Sequence, residues 1–266
     1  MCSGRKRRFM LNYLTFNNNQ STSYGVYISG SGVYNAPARA YEMVSVPGKN
    51  GDLIISNNKY ENIEVVYPAF CAGSNFKQNL ADFRSMLLSV PGYAKLTDTY
   101  HTDEFRAAYF ADGLTVEALN TNNGGEFEVL FNCKPQRFLT SGETAVDIAS
   151  GGTITNPTLF AAKPSIFVRG YGTLTVGNDT ITIANTYPSI IIDSEIMDCY
   201  ASGSAPIVNS AIVGAAILGS SGYTANANAS VTFSTGDFPL LQPGTTTITY
   251  TNTITAVTII PRWWRL

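Results

Sequence analysis

Apolar and polar positions alternate most clearly at Ile63–Phe70. Ile63, Val65, Tyr67 and Ala69 share one face and Glu64, Val66, Pro68 and Phe70 the other, the period of a β-strand. Pro68 has no N–H to give a ladder, so this strand is expected at a sheet edge or with a bulge. Glu126–Cys133 repeats the pattern, with Phe127, Val129 and Phe131 opposed to Glu126, Glu128 and Leu130, after a turn at Asn122-Asn123-Gly124-Gly125. The period changes at Asn75–Val90, where Phe76, Leu80, Phe83 and Leu87 form one helical stripe. Ser74 is the expected N-cap and Pro91-Gly92 the stop. An amphipathic helix among strands should lie across a sheet with its stripe inward.

Turn chemistry punctuates the rest of the first half. Pro47-Gly48 suits the centre of a type II turn, and Asn50-Gly51 follows at once. Leu53–Ile55 then reads as a short strand and Ser56-Asn57-Asn58 as a turn before Ile63. Further strands are expected at 11–16, 26–28, 41–46, 93–96, 105–111 and 114–117. In the second half, short strands at 163–169, 172–176, 179–183, 189–193, 245–250 and 254–260, joined by turns such as Gly177-Asn178, predict an antiparallel sandwich. Thr140–Thr155, rich in Ser, Gly and Thr, reads as a linker plus first strand.

Composition agrees with a β-rich chain: of 266 residues only 14% are charged and 12% are aromatic. From Phe138 onward there are four basic and seven acidic residues, a sparser half than the first. The formal net charge of -2 provides no field to attract nucleic acid. Four cysteines (Cys2, Cys71, Cys133, Cys199) show no CxxC spacing and read as reduced structural thiols. No apolar run reaches the roughly 18–20 residues of a membrane helix. Residues 1–9 carry Arg5-Lys6-Arg7-Arg8 and read as a disordered, solvated extension rather than a nucleic-acid patch, with the folded part starting near Met10.

Candidate chemistry is thin. His101 stands alone in a polar loop near Asp98, Asp103 and Glu104, and one histidine makes no metal site. No GxSxG, HExxH, P-loop or strand-linked GxGxxG is present, and the carboxylates are too scattered to nominate a glycosidase pair. No catalytic, cofactor-binding or metal residue is therefore nominated. Asn19, Asn178 and Asn228 head N-x-S/T triplets of the kind an Asn- and Thr-rich chain produces by chance. Trp263 and Trp264 could form a sugar-stacking platform, but Pro-Arg-Trp-Trp at a strand end more often packs, one indole in the core and the other against a neighbour.

Several of these segments together resemble the distal tail protein family of long-tailed phages. In the first half the resemblance lies in Val46, Pro47, Gly48, Gly51 and Asp52, followed by Tyr60 and Asn62, and in the closing Cys133-x-Pro135-x-Arg137. In the second it lies in Asn156-Pro157, in Ile191-Ile192-Asp193-Ser194-Glu195, in Phe238-Pro239-x-Leu241-x-Pro243-Gly244 and in the final Pro261-Arg262-Trp263-Trp264. The resemblance covers about residues 11–266 and implies a mainly β chain with one helix. A ring-forming N-terminal domain of sheet plus helix at 10–138 would precede a galectin-like β-sandwich (jelly roll) at 139–266. It implies a non-enzymatic structural virion protein without cofactor. Six copies would form a ring joining the tail tube protein to a tail-tip hub or lysin-type protein and to receptor-binding proteins, at the distal end of a tail assembled in the bacterial cytoplasm. It involves no specific nucleic acid and no membrane. A carbohydrate-binding adhesion module, taking cell-wall carbohydrate, is the alternative. The insert at about 203–230 departs from the family, and its apolar run Ala211–Leu218 is expected to be buried on this chain or a neighbour.

Overall fold

The computed structural model describes residues 11–30, 34–110, 112–119, 123–202, 223–251 and 253–266. The expectations for residues 1–9, for Cys2 and for the apolar run Ala211–Leu218 fall outside them. The fold is mainly β with one α-helix among the described residues, as the periodicities require. The chain divides into two compact units, Met1–Pro135 and Gln136–Leu266.

The first unit holds β1 (Leu14–Phe16), β2 (Asn19–Gln20), β3 (Val26–Ile28), β4 (Arg39–Val44), β5 (Leu53–Tyr60) and β6 (Ile63–Ala72). The helix α1 (Phe76–Leu88), β7 (Ala94–Asp98), β8 (Glu104–Tyr109), β9 (Val116–Ala118) and β10 (Gly124–Leu139) follow, the division falling inside β10. The main sheet runs β2-β1-β7-β8-β10-β6-β3, while β4 and β5 form a separate two-stranded sheet. Inward residues of β6 and β10 meet the buried stripe of α1, so Val65, Tyr67, Phe127, Val129 and Phe131 pack with Leu80, Phe83 and Leu87.

Three local expectations are corrected. The strand carrying Pro68 is not at an edge, because β6 lies between β10 and β3. Proline is tolerated there because β3 pairs only as far as Ala69, and beyond it the Pro68 carbonyl accepts the Ser29 N–H at 2.8 Å. Ser56-Asn57-Asn58 is not a turn; it lies inside β5, where the register shifts opposite Ala40 and Tyr41, so Asn57 and Asn58 form a bulge. The cap and the first helical residue each fall one residue later than expected. Asn75 occupies the cap position without a side-chain hydrogen bond, and the Gly73 carbonyl takes the Phe76 N–H at 3.1 Å instead.

In the second unit come β11 (Val146–Asp147), β12 (Gly152–Asn156), β13 (Ser165–Gly170), β14 (Gly172–Val176), β15 (Asp179–Ile183) and β16 (Ser189–Asp193). Then follow β17 (Asp198–Ser202), β18 (Tyr223–Asn226), β19 (Val231–Phe233), β20 (Gly244–Tyr250), β21 (Ile254–Ile260) and β22 (Trp264–Arg265). One sheet is ordered β11-β21-β13-β16-β17-β18 and the other β12-β20-β14-β15-β19. Ile166, Ile190, Ile192 and Val257 from the first share one core with Leu174, Ile181, Ile183 and Ile248 from the second, which makes the unit a two-sheet sandwich. Thr140–Thr155 does contain strand, in β11 and β12, but it holds no linker: Thr140–Glu143 forms a 3-10 turn whose Gly142 carbonyl accepts the Arg262 N–H at 2.9 Å. A Cβ on Gly142 would stand 2.4 Å from the Trp263 backbone nitrogen, so only glycine fits this approach.

Candidate functional site

Of the residues singled out in the first half, Val46, Pro47, Gly48, Gly51, Asp52 and Tyr60 lie on the β4–β5 hairpin, Asn62 just after it, and Cys133, Pro135 and Arg137 in β10. Val46–Lys49 is a closed turn in which the Lys49 N–H reaches the Val46 carbonyl at 3.1 Å, with Gly48 at φ +80. Gly51 is also left-handed, at φ +81, and Asp52 is exposed. Pro47, Gly48, Gly51 and Asp52 thus shape a hairpin tip, and all four are exposed. Strand pairing sets Met43 against Ile54 and Val44 against Leu53. These apolar side chains are not covered by their own chain: Met43 is 56% and Ile54 62% exposed, and Tyr41, Leu53 and Ile55 are exposed as well. A two-stranded hairpin is marginal by itself in water, and apolar side chains exposed on both faces mark a surface made to be covered.

In the second unit the motif segments, distant in sequence, converge. Arg262, in a left-handed conformation at φ +57, directs its guanidinium onto Asp193 with two bonds of 2.7 Å, and both residues are buried. The next residue, Ser194, donates to the Pro239 carbonyl at 2.8 Å. Asn156 donates to the carbonyls of Phe160 and Leu241 at 2.8 and 2.9 Å, and accepts from the Thr158 N–H and hydroxyl. Leu241 and Ala162 exchange backbone bonds of 3.0 Å. Phe238 is half-buried against Phe233, and Pro243-Gly244 turns the chain into β20 with Gly244 at φ +88. Trp263 is buried in the core. Trp264 is half-buried, stacked on Phe160 at 4.4 Å with its indole N–H bonded to the Ala161 carbonyl. With its N–H and one ring face engaged, Trp264 is a packing element of this junction. The adjoining cavity, lined by Lys163, Glu195, Arg262 and Trp264, has about 60 Å³, too little for a sugar ring.

One arrangement escaped the reading of the sequence. Asp98 accepts the N–H groups of Tyr100 and His101 at 2.8 Å, lies 3.0 Å from His101 Nδ1, and accepts the Tyr67 hydroxyl at 2.7 Å. His101 is therefore not a free surface side chain, and the Asp98-x-x-His101 spacing was the available signal. Burial, then the Asp98 carboxylate, pushes the Tyr67 phenol well above its usual range. The adjoining cavity has about 10 Å³, at most room for a single water, so the cluster ties β6 to the β7–β8 turn and admits no substrate.

Cys71, Cys133 and Cys199 are buried free thiols, and no disulfide occurs among the described residues. Burial raises the Cys71 thiol. Burial, with Asp198 and Asp193 nearby, pushes Cys199 up to about 12, so both stay protonated at neutral pH. Among the described residues no group of three or more His, Cys, Asp or Glu is placed to hold a metal ion.

No family model matches the chain, and no curated protein matches it. Solved structures do. The SPP1 Dit protein, described as a paradigm of the hub adsorption apparatus in Gram-positive infecting phages, matches with a TM-score of 0.65 at 10% identity, over 97% of this chain and 100% of that one. A chain of the phage P2 baseplate in its activated conformation with Ca matches at 0.52 and 11% identity, covering 94% of this chain and 97% of its own. The corresponding baseplate with Sr matches at 0.51 and 10% identity, with the same coverage. At such identities the likeness is one of fold, and it agrees at that level with the resemblance carried by the sequence motifs.

Proposed function

We propose that this protein is a structural component of the distal end of a phage tail or tail-like particle, acting by assembly and not by catalysis. The observation that carries the reading is the fold likeness to a phage hub protein across 97% of the chain, both units included. The exposed apolar hairpin β4–β5 supports it, because such a surface suits a contact between copies. Six copies related by a heterologous contact whose rotation closes would form a ring. On this reading the first unit builds the ring at the end of the tail tube protein. The second, a galectin-like sandwich, offers docking surface to tail-tip hub and receptor-binding proteins. Packing of both terminal tryptophans weighs toward docking rather than sugar binding.

Mass photometry of the purified full chain tests the proposal. A species of six times the 28.7 kDa protomer mass is expected. A protein that stays at the protomer mass at high concentration argues against the ring, and labelling located anywhere but the tail tip in electron micrographs of the particle overturns the assignment.

A further inference from the structure

The outer face of the β6–β10 sheet carries an unanswered charge pattern. Register places Glu117 of β9 directly opposite Glu126 of β10, with Phe70 of β6 on the other side of Glu126, and Glu128 opposite Pro68. Two carboxylates facing each other across a ladder repel. Glu128 lies only about 7 Å along the strand from Glu126. Asp112 joins them in lining a groove of about 670 Å³, to which Pro68, Phe70 and Leu130 also contribute. Among the described residues no basic side chain pairs with any of the four carboxylates. They are not gathered closely enough to hold a metal. Such a groove fits several separate cations on a chain. It also offers an aromatic surface, because Tyr27 stacks on Phe70 at 5.7 Å in the same cross-strand row.

The chain carries such a segment nearby. Arg5-Lys6-Arg7-Arg8 precedes the first described residue, Leu11. Asn12 bridges to Ile28, whose neighbour Ser29 lines the groove. The chain therefore enters the described fold beside the groove. Arg8 stands four residues before Asn12, a reach of up to about 14 Å, and Arg5 seven residues before it, up to about 25 Å. We propose that the basic segment Arg5–Arg8 docks in the acidic groove over β6, β9 and β10 of its own chain, its four cations answering Asp112, Glu117, Glu126 and Glu128. This surface is separate from the hairpin, and the proposal stands whether or not copies assemble into a ring.

Carbodiimide coupling of the full-length protein tests it, because Lys6 is the only lysine in the segment. Peptide mass spectrometry of the band at the protomer mass is expected to find Lys6 joined to one or more of the four groove carboxylates. The Lys163–Glu195 pair, 3.6 Å apart, serves as the internal control. Three results overturn the proposal: Lys6 joined to carboxylates elsewhere, Lys6 joined to the groove only in cross-linked multimers, or no Lys6 product while the control pair couples. Glu126→Gln with Glu128→Gln provides a second measurement, since both side chains are exposed and their loss leaves the core intact. Tryptic cleavage after residues 5–8 should accelerate about threefold or more in this variant, the scale of losing two exposed ion pairs, and a rate equal to wild type counts against docking.

Discussion

Asp193 and Arg262, 69 residues apart in sequence, meet in a bidentate pair with both bonds at 2.7 Å and both side chains almost wholly excluded from solvent. The pair joins the end of β16 to the strand-end segment before β22, in the place where the Phe238–Gly244 turn and the Asn156 loop also meet. Breaking one side leaves the other charge buried without compensation. Arg262→Met or Asp193→Asn alone should each destabilise the chain by about 3–5 kcal/mol. The double variant should recover much of that loss, since it buries no unpaired charge. Urea unfolding of the four proteins measures the coupling, and additive losses would show that the pair does not act as a unit.

The β4–β5 hairpin separates assembly from folding. Met43 and Ile54 face each other across it and are exposed, so replacing either removes little that the isolated chain uses. Met43→Lys and Ile54→Lys should leave unfolding midpoints within the range of ordinary surface substitutions, about 0.5 kcal/mol. The same variants should shift the mass distribution from the ring to the protomer. A ring that forms as well as wild type in both variants would place the contact elsewhere.

Much of this architecture was legible because burial on one face writes a strict period into the chain. The buried faces of β6 and β10 are the alternating sets read from the sequence, and the helical stripe Phe76, Leu80, Phe83, Leu87 is buried as its spacing requires. What was missed depends on partners far away in sequence. Pro68 marks an edge only by the local rule; whether a strand has a neighbour depends on where β3 ends. Asn57-Asn58 reads as a turn, yet a bulge against β4 accommodates it within one strand. The segment after Thr140 looks like a linker, and only the Arg262–Trp263 backbone explains its Gly142. The motif residues Asn156, Asp193, Pro239 and Arg262 were visible individually. That they form one buried junction could not be read from spacing, because their contacts span tens of residues.

Cys199 links pH to stability with a definite sign. Its thiol rises from an ordinary value of 9.0 to about 12 through burial, with Asp198 and Asp193 adding to it. A group raised on folding contributes fully below its unfolded value and loses that contribution as pH climbs toward the folded one. Between pH 9 and about 12 the Cys199 contribution should fall by about 1.4 kcal/mol per pH unit. Cys199→Ala should flatten the alkaline limb of the stability curve while leaving the profile below pH 8 parallel to wild type. Tyr67, raised by burial and by Asp98, acts in the same direction at higher pH and will keep some slope in the variant.

The two terminal tryptophans differ in what they hold. Trp263 fills the sandwich core, so Trp263→Ala should cost about 3–5 kcal/mol, the range for truncating a buried aromatic. Trp264 is half-buried, and its removal forfeits one stack on Phe160 and one hydrogen bond to the Ala161 carbonyl, together about 1–3 kcal/mol. Trp264→Phe keeps most of the stack and loses the hydrogen bond, so it should fall between wild type and Trp264→Ala. If the ring of Trp264 instead served as a sugar platform, the aromatic replacement would preserve binding on a glycan array while the alanine variant abolished it. The packing role expects no glycan signal from wild type in the first place, since one face of the Trp264 ring is stacked on Phe160 and the adjoining cavity has only about 60 Å³.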